Sequence, residues 1–143
     1  MEKFKLRVAV YLILVRDGKI LLLRRYNTGY KDGYYSLPSG HLEPNETVID
    51  AMVREAFEEI DITISPNDIQ LTHVLHRSAS AYMDLFFTTK HWSGEISNKE
   101  PNKCDDLHWF DLNELPDTMI SSVKSAITKY QQGEVFSTIT SEV

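Results

Sequence analysis

A single cysteine, Cys104, stands in the whole chain. It excludes an intramolecular disulfide and a metal cage of several thiolates, and it fits a reducing compartment, the cytoplasm. No apolar run approaches the ~20 residues that cross a bilayer. The opening stretch MEKFKLRVAVYLILV has no small-residue cleavage site, so its alternation predicts a strand and not a signal peptide. Lys and Arg number 15 against 21 Asp and Glu, with no Lys/Arg-rich run. That weighs against a general electrostatic grip on nucleic acid or an anionic membrane, so neither is an expected partner. Linkers rich in Pro, Gly or Ser, low-complexity segments and internal repeats are also missing. One domain is therefore expected over residues 1–133, followed by a tail, 134–143, as a monomer or a homodimer. A hydrophobic fraction of 42% in 143 residues suffices for one buried core.

What is present reads as strands and two helices. Leu6 to Val15 is rich in β-branched residues and meets Asp17-Gly18, a hairpin-turn pair, after which ILLLRR returns. Residues 26 to 36, YNTGYKDGYYS, read as a loop. Thr47 with Asp50 forms a helix-capping pattern, followed by Ile49, Val53, Ala56 and Ile60 as one apolar stripe. IQLTHVLHR and AYMDLFFTTKHW form a second antiparallel pair around Ser78, Ala79 and Ser80, and LHWFDL is a shorter strand. In DTMISSVKSAITKYQQG, Ile120, Val123, Ile127 and Tyr130 recur at helical spacing, and Gly133 supplies a stop. The fold class is α/β, with helices packed on a mixed sheet.

The first helix raises a question of charge. With Glu55 set at 0°, Glu58 falls near ~300° and Glu59 near ~40°, while the apolar stripe covers roughly 100° to 160°. Three carboxylates sharing one arc repel each other unless a cation lies among them. Oxygen donors of this charge suit Mg²⁺, with Mn²⁺ as the other candidate, and such an ion lets an acidic protein hold a polyphosphate. Taken alone, three glutamates also read as a solvated acidic face.

The surrounding residues decide for the cation. Gly40, Glu46, Arg54, Glu55, Ala56, Glu58, Glu59 and Ile62 follow Gly-x5-Glu-x7-Arg-Glu-aliphatic-x-Glu-Glu-x-Gly-aliphatic at every position but one. This resembles the Nudix box, the signature of the Nudix hydrolase family, with MutT-like members as the nearest in character. The exception is Asp61, where the family carries glycine. Aspartate tolerates the left-handed backbone that ends a helix, so the change concerns helix termination and removes no ligand.

The resemblance implies a Nudix fold, an α/β/α sandwich with a mixed β-sheet. It also implies that Glu55, Glu58, Glu59 and the Gly40 carbonyl hold divalent ions. Arg54, four residues before Glu58, has an orienting role in the family, and Glu46 supports the loop before the helix. Arg25 resembles a phosphate-contacting arginine. Glu100 is placed like a loop glutamate that joins the metals or positions water, with Glu43 a weaker candidate for the same task. The five histidines show no metal-ligand spacing, although His76 is a candidate for the pocket. A nucleobase needs a stacking face, for which Tyr34, Tyr35 and Tyr82 are candidates.

The implied reaction is hydrolysis of a nucleoside diphosphate linked to another group. ADP-ribose-cleaving members tend to carry a proline past the box where this chain reads HRSAS, Tyr82 lies too far along for the dinucleoside-polyphosphate pattern, and the WF strand is MutT-like. These features favour a nucleoside or deoxynucleoside triphosphate, with ADP-ribose and nucleotide sugars as the alternative. A domain that senses a nucleotide without cleaving it is a third reading, opposed by the retention of every box glutamate. A calcium-binding acidic helix is a fourth.

Overall fold

The computed structural model describes residues 1–141. Its elements run β1 (Arg7–Ile13), β2 (Val15–Arg16), β3 (Lys19–Arg25), β4 (Tyr35–Ser36), β5 (Ser39–His41), α1 (Val48–Ile60), β6 (Ile69–Arg77), β7 (Tyr82–Thr89), β8 (Cys104–Asp111), α2 (Ser121–Gln131) and β9 (Phe136–Ile139). One sheet has the order β5-β1-β7-β6-β9 and mixes parallel with antiparallel pairs. In the other, β3 is flanked by β2, β4 and β8 in antiparallel pairs.

Alternation along the strands sorts the core into two layers. From β1, Val10 and Leu12 join Phe87 and the α1 residues Met52, Ala56 and Ile60. Ile13 joins Phe86, Leu75 and the α2 residues Val123, Ala126 and Ile127. The neighbours Phe86 and Phe87 thus point to opposite layers, each under its own helix. This is the expected α/β arrangement, with helices on both sides of mixed strands.

The first apolar run is divided between the sheets. Asp17 and Gly18 take the left-handed conformation (φ 53° and 75°) and close the β2–β3 hairpin as their identities predict. β1 instead leaves for the other sheet, parallel to β7. The apolar stripe expected on α1 also shifts. Ile49 is exposed and Val53 half-buried, while Ala51 and Met52 are fully buried, so the inward face is centred nearer the glutamates.

No element is expected from sequence after Gly133, yet Phe136–Ile139 adds β9 parallel to β6. Buried His73 pins it: Nδ1 bonds the Glu134 carbonyl and Nε2 the Ser137 hydroxyl, both at 2.8 Å. Since a carbonyl only accepts, Nδ1 carries a proton. The last two residues of the expected tail lie outside the described residues.

Candidate active site

α1 is set by its ends. The Thr47 hydroxyl accepts the Asp50 N–H at 3.1 Å, and Asp61 adopts φ 63° at the C-terminal cap, donating its N–H to the Phe57 carbonyl. The aspartate thus does the glycine's work at this turn. Two of the last helical carbonyls are taken by the loop before β8, through Ser97 N–H to Ile60 O and Lys99 N–H to Glu59 O, each at 3.1 Å. This docking carries Glu100 to the glutamate face of α1.

Glu55, Glu58, Glu59 and Glu100 all line one cleft of about 950 Å³, together with Gly40 and Arg25. Glu59 accepts the Ser39 N–H at 2.7 Å. Glu55 lies against the backbone of β5 so closely that a Cβ on Gly40 would sit 2.1 Å from its Cδ. A side chain at position 40 would therefore displace the Glu55 carboxylate from its present place.

Arg54 organises the acidic side. Its guanidinium bonds both oxygens of Glu46 at 2.7 and 3.0 Å, Glu55 at 2.6 Å and the His41 carbonyl at 3.2 Å. The Glu58 contact expected from i,i+4 spacing is longer, at 3.5 Å. Hydrogen bonding to Arg54 holds the Glu46 carboxyl below the usual carboxylate range and raises the arginine's own pKa. Glu46 also accepts the Glu43 N–H, fixing the turn ahead of α1.

The remaining charge is unbalanced. Burial pushes the Glu59 carboxyl well above the usual range, and the Glu55 charge adds to this beyond what the Ser39 N–H and Arg25 offset. Burial raises Glu55 too, against the pull of Arg54 and with Glu58 and Glu100 adding repulsion. The glutamates and the Gly40 carbonyl offer only oxygen donors, and burial and neighbouring carboxylates penalise the ionised forms of Glu55 and Glu59, an arrangement that a hard divalent cation fits. Among the described residues no three acidic, histidine or cysteine side chains already form a closed cage. One oxygen of Glu55 is taken by the Arg54 bond.

The tyrosine expectations are redistributed. Tyr35 is buried, packs edge-on against Phe110 and donates its hydroxyl to Asp106, so its ring belongs to the interior. Tyr34 is exposed, and neither residue is among the cleft's lining. Tyr82 does line the cleft, but its hydroxyl is bonded to His41 at 2.8 Å and its ring lies under the guanidinium groups of Arg77 and Arg7. The other lining tyrosines, Tyr11 and Tyr30, are unforeseen. Tyr11 stacks on Phe86 with centroids 4.6 Å apart, and burial followed by the Asp84 charge raises its hydroxyl pKa. A tyrosine on the Ile13 side of an aliphatic strand was the available signal. His76 is not in the lining, whereas His41 is. Cys104 is buried at the cleft wall with its thiol on the Asp106 carbonyl.

The NUDIX domain family model matches residues 4–130. The chain belongs to the Nudix family. It is 31% identical over 101 residues to an 8-oxo-dGTP diphosphatase of Proteus vulgaris, covering 70% of this chain and 89% of that protein. It is 34% identical over 119 residues to an ADP-ribose pyrophosphatase of Methanocaldococcus jannaschii, covering 76% of this chain and 64% of that one. A NAD-capped RNA hydrolase NudC of Chromobacterium violaceum is 31% identical over 107 residues, and the chain spans 38% of its length. The crystal structure of a MutT NUDIX hydrolase from Burkholderia pseudomallei matches with a TM-score of 0.79 and 29% identity, covering 87% of this chain and 98% of that one. As a MutT-like Nudix hydrolase the chain is a pyrophosphohydrolase, in a family that generally uses divalent metals such as Mg²⁺. Among the described residues no helix is long and apolar enough to cross a membrane.

Proposed function

We propose that this Nudix hydrolase cleaves a nucleoside or deoxynucleoside triphosphate to the monophosphate and pyrophosphate. One observation carries the reading: a single cleft joins the charge-deficient carboxylates of Glu55, Glu58, Glu59 and Glu100 to the guanidinium of Arg25. The carboxylates, with the Gly40 carbonyl, would hold Mg²⁺ or Mn²⁺, and Arg25 would grip the phosphate chain. When bound, the metal supplies neutralising charge at the phosphoryl oxygens and lowers the pKa of a water. Arg54 keeps Glu55 oriented and opposes the rise that burial causes in its pKa. A cleft carboxylate takes a proton from the attacking water as the new P–O bond forms and the bridging P–O bond breaks, sending its electron pair to the departing group. The rings of Tyr11 and Tyr30 offer the apolar surface a base requires.

Cleavage of ADP-ribose or a nucleotide sugar is the second reading, favoured by the 34% identity to the Methanocaldococcus protein. Phosphate release with Mg²⁺ separates the two. Release from dGTP, GTP or 8-oxo-dGTP that requires added inorganic pyrophosphatase supports the triphosphate reading. Release from ADP-ribose that requires alkaline phosphatase, with triphosphates intact, supports the second. A nucleotide that binds and stays intact on long incubation with Mg²⁺ would favour a sensor domain.

A further inference from the structure

The loop joining β3 to β4 has the composition of a loose connection, with Gly29 and Gly33 among its tyrosines. In the structure it is gathered around one carboxylate. Asp32 accepts the Thr28 N–H at 3.0 Å, the Gly29 N–H at 2.9 Å and the Thr28 hydroxyl at 2.5 Å. Thr28 Oγ1 in turn accepts Arg25 Nη2–H at 3.1 Å and the Tyr30 N–H at 3.2 Å. The Tyr30 carbonyl accepts Arg25 Nε–H at 2.7 Å, and the Arg25 guanidinium lies 5.4 Å from the Tyr30 ring centroid. Asn27 and Lys31 have φ of 56° and 50°, a conformation side chains resist, so the loop needs such bonds to keep its shape. Gly33 N–H to Arg25 O at 2.7 Å and Arg25 N–H to Tyr34 O at 2.9 Å close it against β3.

These bonds fix a guanidinium plane without exhausting it. Of the five N–H donors of an arginine, the loop engages one on Nε and one on Nη2, which leaves three at a residue that lines the cleft. A phosphate-binding arginine gains affinity when its rotamers are settled before the ligand arrives. We propose that Asp32 is a positioning residue for the substrate's phosphates, acting through Thr28 to hold the Arg25 guanidinium oriented toward the cleft. The hydrogen bonds from Thr28 and Gly29 keep the Asp32 carboxyl below its usual range, so it stays an acceptor at neutral pH. The inference rests on the reading of Arg25 as a phosphate contact.

Calorimetric binding of inorganic tripolyphosphate with Mg²⁺, beside kcat and KM for dGTP, tests it in wild type, Arg25→Ala, Asp32→Ala, Thr28→Val, Thr28→Ser and the double variant Arg25→Ala/Asp32→Ala. Asp32→Ala and Thr28→Val are expected to weaken tripolyphosphate binding and raise KM about tenfold, with kcat changed less than about twofold. Thr28→Ser, which keeps the hydroxyl, should behave as wild type. The double variant should be no worse than Arg25→Ala alone, because Asp32 acts through that arginine. Unchanged binding in Asp32→Ala while Arg25→Ala weakens it overturns the proposal and leaves the phosphate role of Arg25 standing, and additive losses in the double variant also overturn it. Unchanged binding in Arg25→Ala itself removes that role, and the proposal falls with it. Loss of kcat with KM intact would show a general structural effect instead, contradicting the proposal.

Discussion

Two arginines that line the same cleft, Arg77 and Arg54, differ in the charge balance around them. On β6 and β7, Arg77 and Asp84 are both buried and meet through two hydrogen bonds, 2.5 and 3.1 Å long, so opposite charges cancel. On α1, one guanidinium, Arg54, lies within 4 Å of four carboxylates, at 2.6 Å from Glu55, 2.7 Å from Glu46, 3.5 Å from Glu58 and 3.7 Å from Glu43. Glu59 and Glu100 add to the same face. Removing one member of a buried balanced pair strands a charge, whereas a surplus of carboxylates, of which Glu55 and Glu59 are the more buried, opposes folding unless a ligand supplies the missing charge. The excess negative charge is thus a cost that a bound cation would offset.

Glu58→Gln should separate the two most sharply. Turnover is expected to fall about 10²–10⁴-fold while the fold, read by circular dichroism and thermal unfolding, is retained. A wild-type rate would remove Glu58 from the site. The opposite pattern is expected at the balanced pair: Asp84→Ala leaves Arg77 buried without this partner and should cost about 3–5 kcal/mol in urea unfolding. A loss under about 1 kcal/mol would show that the pair holds little of the sheet together.

Smaller effects sharpen the contrast. Arg54→Ala should lower stability in urea unfolding by less than Asp84→Ala does, since Glu46 and Glu55 lose charge-assisted bonds near solvent. Its pH dependence follows from Glu46, whose folded pKa is depressed. The stability it gives is present above the ordinary glutamate range and lost as pH falls through the folded value. Comparing wild type with Arg54→Ala in urea at pH 7 and below pH 4 checks this, and the difference between them should shrink in acid.

The sign reverses at Glu59. Its folded pKa is raised, so the metal-free protein loses stability as pH climbs from the unfolded glutamate pKa through the folded one. Glu59→Gln should then raise the metal-free unfolding midpoint at neutral pH by about 3–5 °C. The amide oxygen can still accept the Ser39 N–H. A lower midpoint would show that this carboxylate is already compensated.

The parts of this molecule that were legible in sequence are those set by neighbours along the chain. The Thr47 cap, the Asp17-Gly18 turn and the left-handed Asp61 depend on a few adjacent residues, and each has its expected form in the structure. Periodicity also placed the glutamates on one arc of α1. It did not show that the arc and the buried face overlap, because Ala51 and Met52, which turn inward beside Glu55 and Glu59, interrupt the simple aliphatic stripe. Long-range pairing was not readable either: β9 depends on His73, more than sixty residues away, and Tyr35 is drawn inside by Asp106. Nothing local distinguishes Tyr30, which faces the cleft, from Tyr34, which does not.

The most direct test of the charge argument is the unfolding midpoint of chelator-treated protein at neutral pH as Mg²⁺ is added. The expected result is a midpoint that rises with Mg²⁺ in the wild type and stays flat in Glu59→Gln, whose metal-free value is already higher. A wild-type midpoint that ignores Mg²⁺, or an equal rise in the variant, would contradict it.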